Sequence, residues 1–186
     1  MKPEPVKEFF AGDHVVVFRY PCFRDWRGIM KKTSSLTKEK SFGAPQELLP
    51  EKYHRKQMRD RLNAIKEHVA VYLVVEIGGQ VIGAASIWKT PDKPEEGWLE
   101  ISIRSTLPGT DDQLHGIGIG GNLVYAILHQ AKTVLEIKIV KLGVYAVNHG
   151  AVHLYKKCGF VETARKRREK NHYGVMRDRI YMQKSL

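Results

Sequence analysis

Cysteine is scarce in this sequence, and its scarcity argues against two ways of stabilising a small fold. The chain of 186 residues contains two cysteines, Cys22 and Cys158. They lie far apart and neither belongs to a run with metal-ligand spacing, so neither a disulfide framework nor a zinc site is expected. A chain of this length can instead bury one full hydrophobic core without such help.

Long apolar runs are also missing. The longest, such as the run Val69–Ile77, have the length of a strand and are too short to cross a bilayer. The N-terminal segment Met1–Phe10 lacks the apolar stretch that a secretory signal needs. No repeat or linker divides the sequence. We therefore expect a reduced, cytoplasmic protein without a membrane partner, folded as one domain over residues 1–186.

Positive charge dominates the composition. The formal net charge is +11, from 31 lysines and arginines against 20 acidic residues. Clustered basic residues recruit phosphate, so a nucleic acid is one candidate partner, and a phosphate-bearing cofactor or an acidic substrate is another. The densest basic run is Arg165–Lys170, followed by His172 and Tyr173. A solvated strand face would explain this run equally well, so charge alone identifies no function.

Hydrophobic periodicity predicts an alternation of strands and helices. In the first half it predicts a strand at 14–20, a short helix at 23–33, a polar loop at 34–45, a helix at 49–68, a hairpin of strands 69–77 and 80–88 around Gly78-Gly79, a turn at 91–97 and a strand at 98–104. In the second half it predicts helices at 122–133 and 148–157 and strands at 137–146, 160–168 and 175–184. The pattern indicates a mixed α/β layer structure.

A glycine-rich segment, His115–Asn122, follows a predicted strand and opens a predicted helix. Its sequence is His-Gly-Ile-Gly-Ile-Gly-Gly-Asn. Glycines allow the backbone to turn tightly and to expose its N–H groups without obstruction from Cβ atoms. Together with the positive end of the helix dipole, these donors form an anion site suited to a pyrophosphate.

Two familiar phosphate-binding motifs fit this segment poorly. A mononucleotide P-loop has Lys and then Ser or Thr after its last glycine, whereas Asn122 and Leu123 follow here. A dinucleotide fold has an acidic residue about 20 residues downstream, at the end of the next strand. Glu136 lies near that distance but precedes the next predicted strand. An ATPase is therefore disfavoured, and an NAD-linked oxidoreductase remains a distant alternative.

The glycine-rich segment resembles the acetyl-CoA pyrophosphate loop of the GNAT superfamily, Arg/Gln-x-x-Gly-x-Gly/Ala. His115, Gly118 and Gly120 occupy the three defined positions, and His115 departs from the usual Arg or Gln. The segment Asn148–Phe160 is similar to a second family pattern, Asn-x-x-Ala-x-x-Leu-Tyr-x-Lys-x-Gly-Phe. The resemblance implies a GNAT fold of the α/β (α+β) class, a mixed, mostly antiparallel twisted sheet flanked by helices. It also implies transfer of an acetyl group from acetyl-CoA to an amine on a protein N-terminus, a lysine or a small molecule.

The resemblance also assigns roles to individual residues. Asn148 is expected to bind the pantetheine arm and Tyr155 to protonate the cofactor sulfur. The arm is expected to pair with the strand end at Ile103 and Ser105. The full set implied to bind the cofactor is Ile103, Ser105, His115, Gly116, Ile117, Gly118, Ile119, Gly120, Gly121, Asn122, Asn148 and Tyr155.

The general base has several candidates. Glu100 resembles the strand glutamate that acts as base in the histone-acetyltransferase branch. Other members carry a glutamate five residues before the equivalent of Asn148, but this chain has Gly143 there. His115 and His153 could titrate near neutrality, and a water chain would leave no signature in the sequence.

Two function classes follow from the sequence. The first is an N-acetyltransferase, for which the positive charge favours an acidic peptide or a ribosome-associated substrate over a polycation. The second is a nucleic-acid or ribosome-binding module that keeps the fold without turnover. The closing strands could also pair across a two-fold axis, which would give a homodimer.

Overall fold

The structure, a computed structural model, describes residues 3–39, 41, 44–170 and 173–186. Its strands are β1 (Pro5–Ala11), β2 (His14–Arg19), β3 (Ala70–Ile77), β4 (Gln80–Thr90), β5 (Lys93–Ile103), β6 (Ile139–Tyr145), β7 (Val161–Lys170) and β8 (Met176–Ser185). Its α-helices are α1 (Trp26–Lys38), α2 (Glu51–Lys66), α3 (Ile119–Leu135) and α4 (His149–Lys157).

The strands form one sheet in the order β1-β2-β3-β4-β5-β6-β8-β7. Neighbouring strands run antiparallel except β5 and β6, which are parallel. α3 packs over the larger core on one face of the sheet. α1 and α2 cover the other face with a smaller core. The expected mixed, mostly antiparallel sheet flanked by helices is confirmed.

Local signals in the sequence predicted several elements well. The β3–β4 hairpin turns through Gly78 and Gly79, whose φ angles of 54° and 78° are those of the expected two-residue turn. The stripe of α3 that includes Leu123 and Ile127 is buried as predicted. Asn148 caps α4, because its side chain accepts a hydrogen bond from the Ala151 N–H at 3.2 Å.

In the first half one strand was missed and two predictions were wrong. The missed strand is β1, a largely exposed edge strand that pairs, among the described residues, with β2 alone. The predicted turn at 91–97 is mostly strand, since β5 begins at Lys93 and the Glu95 carbonyl accepts a hydrogen bond from the Lys138 N–H. The predicted polar loop at 34–45 begins too early, because α1 continues to Lys38 and buries Leu36. Lys40, Phe42 and Gly43 of that loop lie outside the described residues.

β5 and β6 are paired only near their beginnings. The register joins Glu96 to Ile139, Gly97 to Val140 and Trp98 to Lys141, and it ends there. Beyond this point β5 continues alongside β4, and β6 continues alongside β8. The two strands therefore diverge and leave an opening in the sheet, which we call the β5–β6 gap.

Gly97 allows the strands to pack closely where the gap begins. A Cβ atom there would lie 2.6 Å from both Ile137 Cδ1 and Ile87 Cγ2. Overpacking of a core costs about 1–3 kcal/mol, so we expect Gly97→Ala to lower the free energy of unfolding by about that amount in urea denaturation. Gly150→Ala is the control, since nothing lies within 4 Å of a Cβ at that helical position. Equal stability of the two variants would contradict the prediction.

Candidate active site

A large groove of about 1810 Å³ runs through the β5–β6 gap. On one face of the sheet it is lined by the first turn of α3 and by α4, and we call this part the α3–α4 side. On the other face it is lined by α1, α2, the end of β7 and Arg179 of β8, and we call this part the α1–α2 side. A ligand could therefore enter from each face and meet its counterpart in the gap.

The glycine-rich turn forms one end of the α3–α4 side. Gly116 and Gly118 have φ angles of 81° and 89°, a conformation that favours glycine. The Asn122 N–H reaches the Gly118 carbonyl at 3.2 Å, so the N–H groups of the three preceding helical residues have no intrahelical acceptor. The Lys7 Nζ atom donates a hydrogen bond to the Asn122 Oδ1 atom at 2.6 Å, and this contact stabilises the turn. The turn presents unpaired donors and a helix dipole to the groove, as predicted.

Tyr155 lies on α4 and faces the same side of the groove. Its ring packs edge-on against Phe160, with the ring centroids 5.8 Å apart. Burial raises the pKa of Tyr155 to about 12, and the nearby Cys158 adds to the shift. The phenol is therefore protonated at neutral pH. Within the described part of the chain its hydroxyl forms no hydrogen bond, so the proton is available to a ligand.

The inner edge of β5 carries free peptide groups. The Arg104 N–H donates to the Ile82 carbonyl beside β4, whereas the Glu95 carbonyl accepts from Lys138 beside β6. Because hydrogen-bonding direction alternates along a strand, the peptide groups of Ile101 and Ile103 point into the β5–β6 gap. They are free to pair with an extended ligand. The sequence had indicated Ile103, whereas Ile101 follows only from the structure.

Ser105, just beyond the strand end, is already engaged. Its carbonyl accepts a hydrogen bond from the Leu114 N–H at 2.8 Å, and its hydroxyl donates to Glu39 at 3.0 Å. Its side chain still lines the groove. Ser105 therefore helps to fix the loop that leads into the glycine-rich turn, and its carbonyl is less available to a ligand than those of the gap.

Glu100 is exposed on the α1–α2 side. It lies on β5 opposite Ser86 of β4 and lines the groove. At Gly143 on β6, the position of the alternative glutamate, the space that a side chain would fill is taken by the guanidinium of Arg179. A Cβ atom at Gly143 would lie 2.7 Å from the Nε atom of Arg179, whose guanidinium pairs with Glu169 at 3.1 Å. A guanidinium thus lies at the position for which the resemblance had offered a glutamate as the alternative base.

The groove brings together nearly all the residues that the sequence indicated. Ile117 is the exception, because it packs against the larger core and does not line the groove. The lining members of the predicted set are Glu100, Ile103, Ser105, His115, Gly116, Gly118, Ile119, Gly120, Gly121, Asn122, Asn148 and Tyr155. His153, weighed as a titrating group, also lines it.

Several polar residues of the α1–α2 side were not foreseen. Lys32 of α1, His54 and Arg61 of α2, and Tyr72 of β3 all line the groove. A signal for Lys32 was present in the sequence. It lies three residues after Ile29 and four before Leu36, on the buried stripe of the helix, where a charged residue needs an explanation.

The basic run Arg165–Lys170 lies on β7 at the edge of the sheet and is largely exposed. Part of its charge is neutralised, because Arg165 pairs with Glu162 at 2.9 Å and Lys166 with Glu169 at 3.5 Å. His172, which the sequence placed beside this run, lies outside the described residues. These contacts fit a solvated strand with internal ion pairs.

Neither a membrane-spanning helix nor a metal-binding cluster occurs among the described residues. None of the helices has the length and apolar character required to span a membrane. In the same residues, no group of three or more His, Cys, Asp or Glu side chains could hold a metal ion.

The comparison with protein families decides the relationship. The sequence profile described as "Acetyltransferase (GNAT) family" matches residues 35–160, which are about two thirds of the chain. The matched range includes the whole glycine-rich turn and the whole of α4. This chain belongs to the GNAT family. The membership predicted from the two motifs is confirmed.

Individual GNAT relatives agree with this assignment. The chain is 30% identical over 107 residues to an N-alpha-acetyltransferase of Sulfurisphaera tokodaii, a match that covers 53% of this chain and 60% of that protein. The ribosomal-protein-S5-alanine acetyltransferase of Vibrio fischeri has a similar structure, with a TM-score of 0.80 at 16% identity over 96% of each chain. The structure of yncA from Salmonella typhimurium with its cofactor acetyl-CoA gives a TM-score of 0.74 at 18% identity, over 92% of this chain and 94% of that one. At such identities the structural likenesses establish the GNAT fold only.

Proposed function

We propose that this GNAT protein is an N-acetyltransferase that moves an acetyl group from acetyl-CoA to an amine. The observation that carries the proposal is the β5–β6 gap, which connects the glycine-rich turn and Tyr155 on one face of the sheet with Glu100 on the other. Two substrates that enter from opposite faces would meet in the gap, and positioning of this kind contributes much of the acceleration of a bimolecular reaction.

The α3–α4 side fits a coenzyme A thioester. The unpaired N–H groups at the start of α3 suit a pyrophosphate, since they offer donors and a positive dipole without side chains in the way. The free peptide groups of Ile101 and Ile103 suit an amide-containing arm that pairs like an added strand. When bound, acetyl-CoA would supply an activated acyl group and a thiol leaving group.

The residues of the gap would move two protons. Glu100 accepts a proton from the ammonium form of the acceptor, directly or through water, and the free amine then attacks the thioester carbonyl. The backbone N–H groups that face the gap stabilise the developing oxyanion. Tyr155 donates its proton to the departing sulfur. The amide nitrogen loses its second proton as the tetrahedral intermediate collapses, and this proton restores the Tyr155 hydroxyl through solvent. The products are an amide and coenzyme A, and the released proton leaves through Glu100.

For the acceptor we propose an α-amine of a peptide or protein. The relative from Sulfurisphaera tokodaii is named an N-alpha-acetyltransferase, and the Vibrio fischeri neighbour acts on an alanine of a ribosomal protein. The net charge of +11 favours an acceptor with acidic character. The groove is open to both faces, which suits an extended chain.

The proposal is tested by titration calorimetry with acetyl-CoA, followed by a thiol-release assay with a set of short peptides. Saturable cofactor binding with peptide-dependent release of coenzyme A is the expected result. Absence of cofactor binding at millimolar concentration would overturn it.

Tyr155→Phe is expected to lower kcat about 10–100-fold, because the thiolate then leaves without a proton donor. The KM for acetyl-CoA should change little, since phenylalanine keeps the packing against Phe160. The measurement is steady-state kinetics with thiol detection. Tyr20→Phe is the matched control, because Tyr20 donates to Gln130 at 2.9 Å and does not line the groove. Equal kcat values for wild type and Tyr155→Phe would remove Tyr155 from the mechanism.

A further inference from the structure

Three basic side chains lie together on the α1–α2 side of the groove. Lys32 and His54 are buried, with exposed fractions of 5% and 4%. Arg61 lies over the ring of Tyr72, with its Cζ atom 4.9 Å from the ring centroid. All three line the groove, and we call them the basic cluster.

The basic cluster has no negative partner within the described part of the chain. The Lys32 Nζ atom donates to the Ser102 hydroxyl at 2.5 Å, and neither Lys32 nor Arg61 forms an ion pair there. The buried Nε2 atom of His54 has no hydrogen-bond partner. Two buried basic side chains and a half-buried arginine, with no carboxylate bound to them among the described residues, are therefore open to an anion from outside the chain.

Arg19 is a buried cation in the same fold that, unlike the basic cluster, is paired with carboxylates. This side chain, 2% exposed, contacts Asp25 at 2.8 Å and Glu76 at 2.7 Å. Two carboxylates compensate for its burial, as expected for a charge that serves the fold. The basic cluster has no such compensation, although it holds more basic groups.

Burial within the cluster disfavours the charged forms of Lys32 and His54. Burial, with a contribution from Arg61, lowers the pKa of Lys32 to about 7. Burial also lowers the pKa of His54, and both Arg61 and Lys32 add to that shift. The groups therefore disfavour one another's charge, and a bound anion would relieve this repulsion.

The basic cluster adjoins the proposed general base. Ser102, the partner of Lys32, lies two residues after Glu100 on the same face of β5, a distance of about 7 Å along a strand. The pKa of Tyr72 is raised mainly by burial, and Arg61 and Glu100 both lie close enough to influence it. An anion on the cluster would thus sit beside an amine held at Glu100.

We propose that Lys32, His54 and Arg61 form a subsite for a carboxylate of the acceptor, so that the enzyme selects amines that carry an acidic group near the reacting nitrogen. This inference rests on the proposed acetyl transfer. A singly charged carboxylate fits the subsite better than a doubly charged phosphate, because Glu100 lies nearby. Recognition of an acidic acceptor would explain why Lys32 is buried without a carboxylate partner.

The test compares matched tetrapeptide amides with a free N-terminal amine, in which an Asp is replaced by Asn in the first, second or third position. Binding to the protein saturated with coenzyme A is measured by calorimetry, and turnover by thiol release. We expect at least one acidic peptide to bind about tenfold more tightly than its Asn counterpart, as for a hydrogen-bonded charge pair. Equal binding of every Asp–Asn pair, or no binding of any acidic peptide, overturns the subsite.

Lys32→Met and Lys31→Met provide matched variants, since the second lysine is the exposed neighbour on the same helix. Lys32→Met should abolish most of the Asp–Asn difference while raising the melting temperature, because an uncompensated buried amine is removed. Lys31→Met should change neither the Asp–Asn difference nor the melting temperature. If Lys32→Met lowers the melting temperature and weakens both members of each pair equally, Lys32 is structural and the proposal fails.

The same experiment separates this inference from the proposed function. Failure to bind coenzyme A and acetyl-CoA would overturn acetyl transfer. The Asp–Asn difference is then measured on the protein without cofactor, where it supports or contradicts the carboxylate subsite on its own.

Discussion

Gly118→Asp is expected to weaken acetyl-CoA binding by at least about 100-fold, or about 2.7 kcal/mol. Two effects add. The φ angle of Gly118 is 89°, so any side chain strains the turn that presents the N–H groups. The new carboxylate would also lie beside the proposed pyrophosphate site and repel it. The dissociation constant is measured by calorimetry.

Gly12→Asp is the matched control for this experiment. Gly12 also has a positive φ angle, 58°, with nothing within 4 Å of a Cβ atom, but it lies in the β1–β2 turn away from the groove. The Gly12→Asp variant should lose about as much free energy of unfolding as Gly118→Asp, and it should bind acetyl-CoA with wild-type affinity. Gly118→Ala separates strain from charge, because it introduces a side chain without a carboxylate. Wild-type affinity in Gly118→Asp would show that the turn binds no phosphate.

The parts of the site that could be predicted are those encoded by short segments. The glycine-rich turn and the cap of α4 depend on backbone preferences within a few residues, so their sequences alone indicated both structure and chemistry. Tyr155 was indicated by the α4 segment, and Glu100 by the resemblance of its own strand to that of the histone-acetyltransferase branch. The structure adds that the two face the groove from opposite sides of the sheet.

The parts that could not be predicted depend on distant packing. The surroundings of Arg61 and His54 are set by how α2 packs against β3 and α1, which no local pattern specifies. The gap-facing peptide groups of Ile101 appear only once the β5–β6 register is known to end at Trp98. The guanidinium of Arg179 over Gly143 comes from β8, far along the chain. The residues that we propose to select the acceptor meet through these distant contacts, and this explains why no local pattern in the sequence indicated them.

Among the described residues the basic cluster is the part of the α1–α2 side without a paired carboxylate, and Glu100 lies at its edge, whereas Arg179 is paired with Glu169. A protonated amine would be repelled at the basic cluster and attracted at Glu100. The acidic part of an acceptor would be attracted elsewhere, at the basic cluster. The charge distribution therefore orients such an acceptor as well as binding it.

Glu100→Gln should accordingly have the second large effect, a fall in kcat/KM of about 10²–10³-fold near neutral pH. Glutamine keeps the shape and hydrogen-bonding reach of the side chain, but it neither accepts the amine proton nor attracts the ammonium form. An α-amine has a pKa of about 8, so the free amine becomes abundant at higher pH without help from the protein. The deficit of the variant should therefore shrink as the pH rises above 8.

This pH dependence distinguishes a base from a residue that only shapes the groove. A structural role predicts a constant ratio of wild-type to variant activity from pH 6.5 to 9.5, since a distorted groove remains distorted. Glu95→Gln is the control on the same strand, because Glu95 pairs with Lys138 at 2.6 Å outside the groove. If Glu100→Gln retains wild-type activity at neutral pH, the amine proton leaves by another route. His153 would then be the next group to replace, since it also lines the groove.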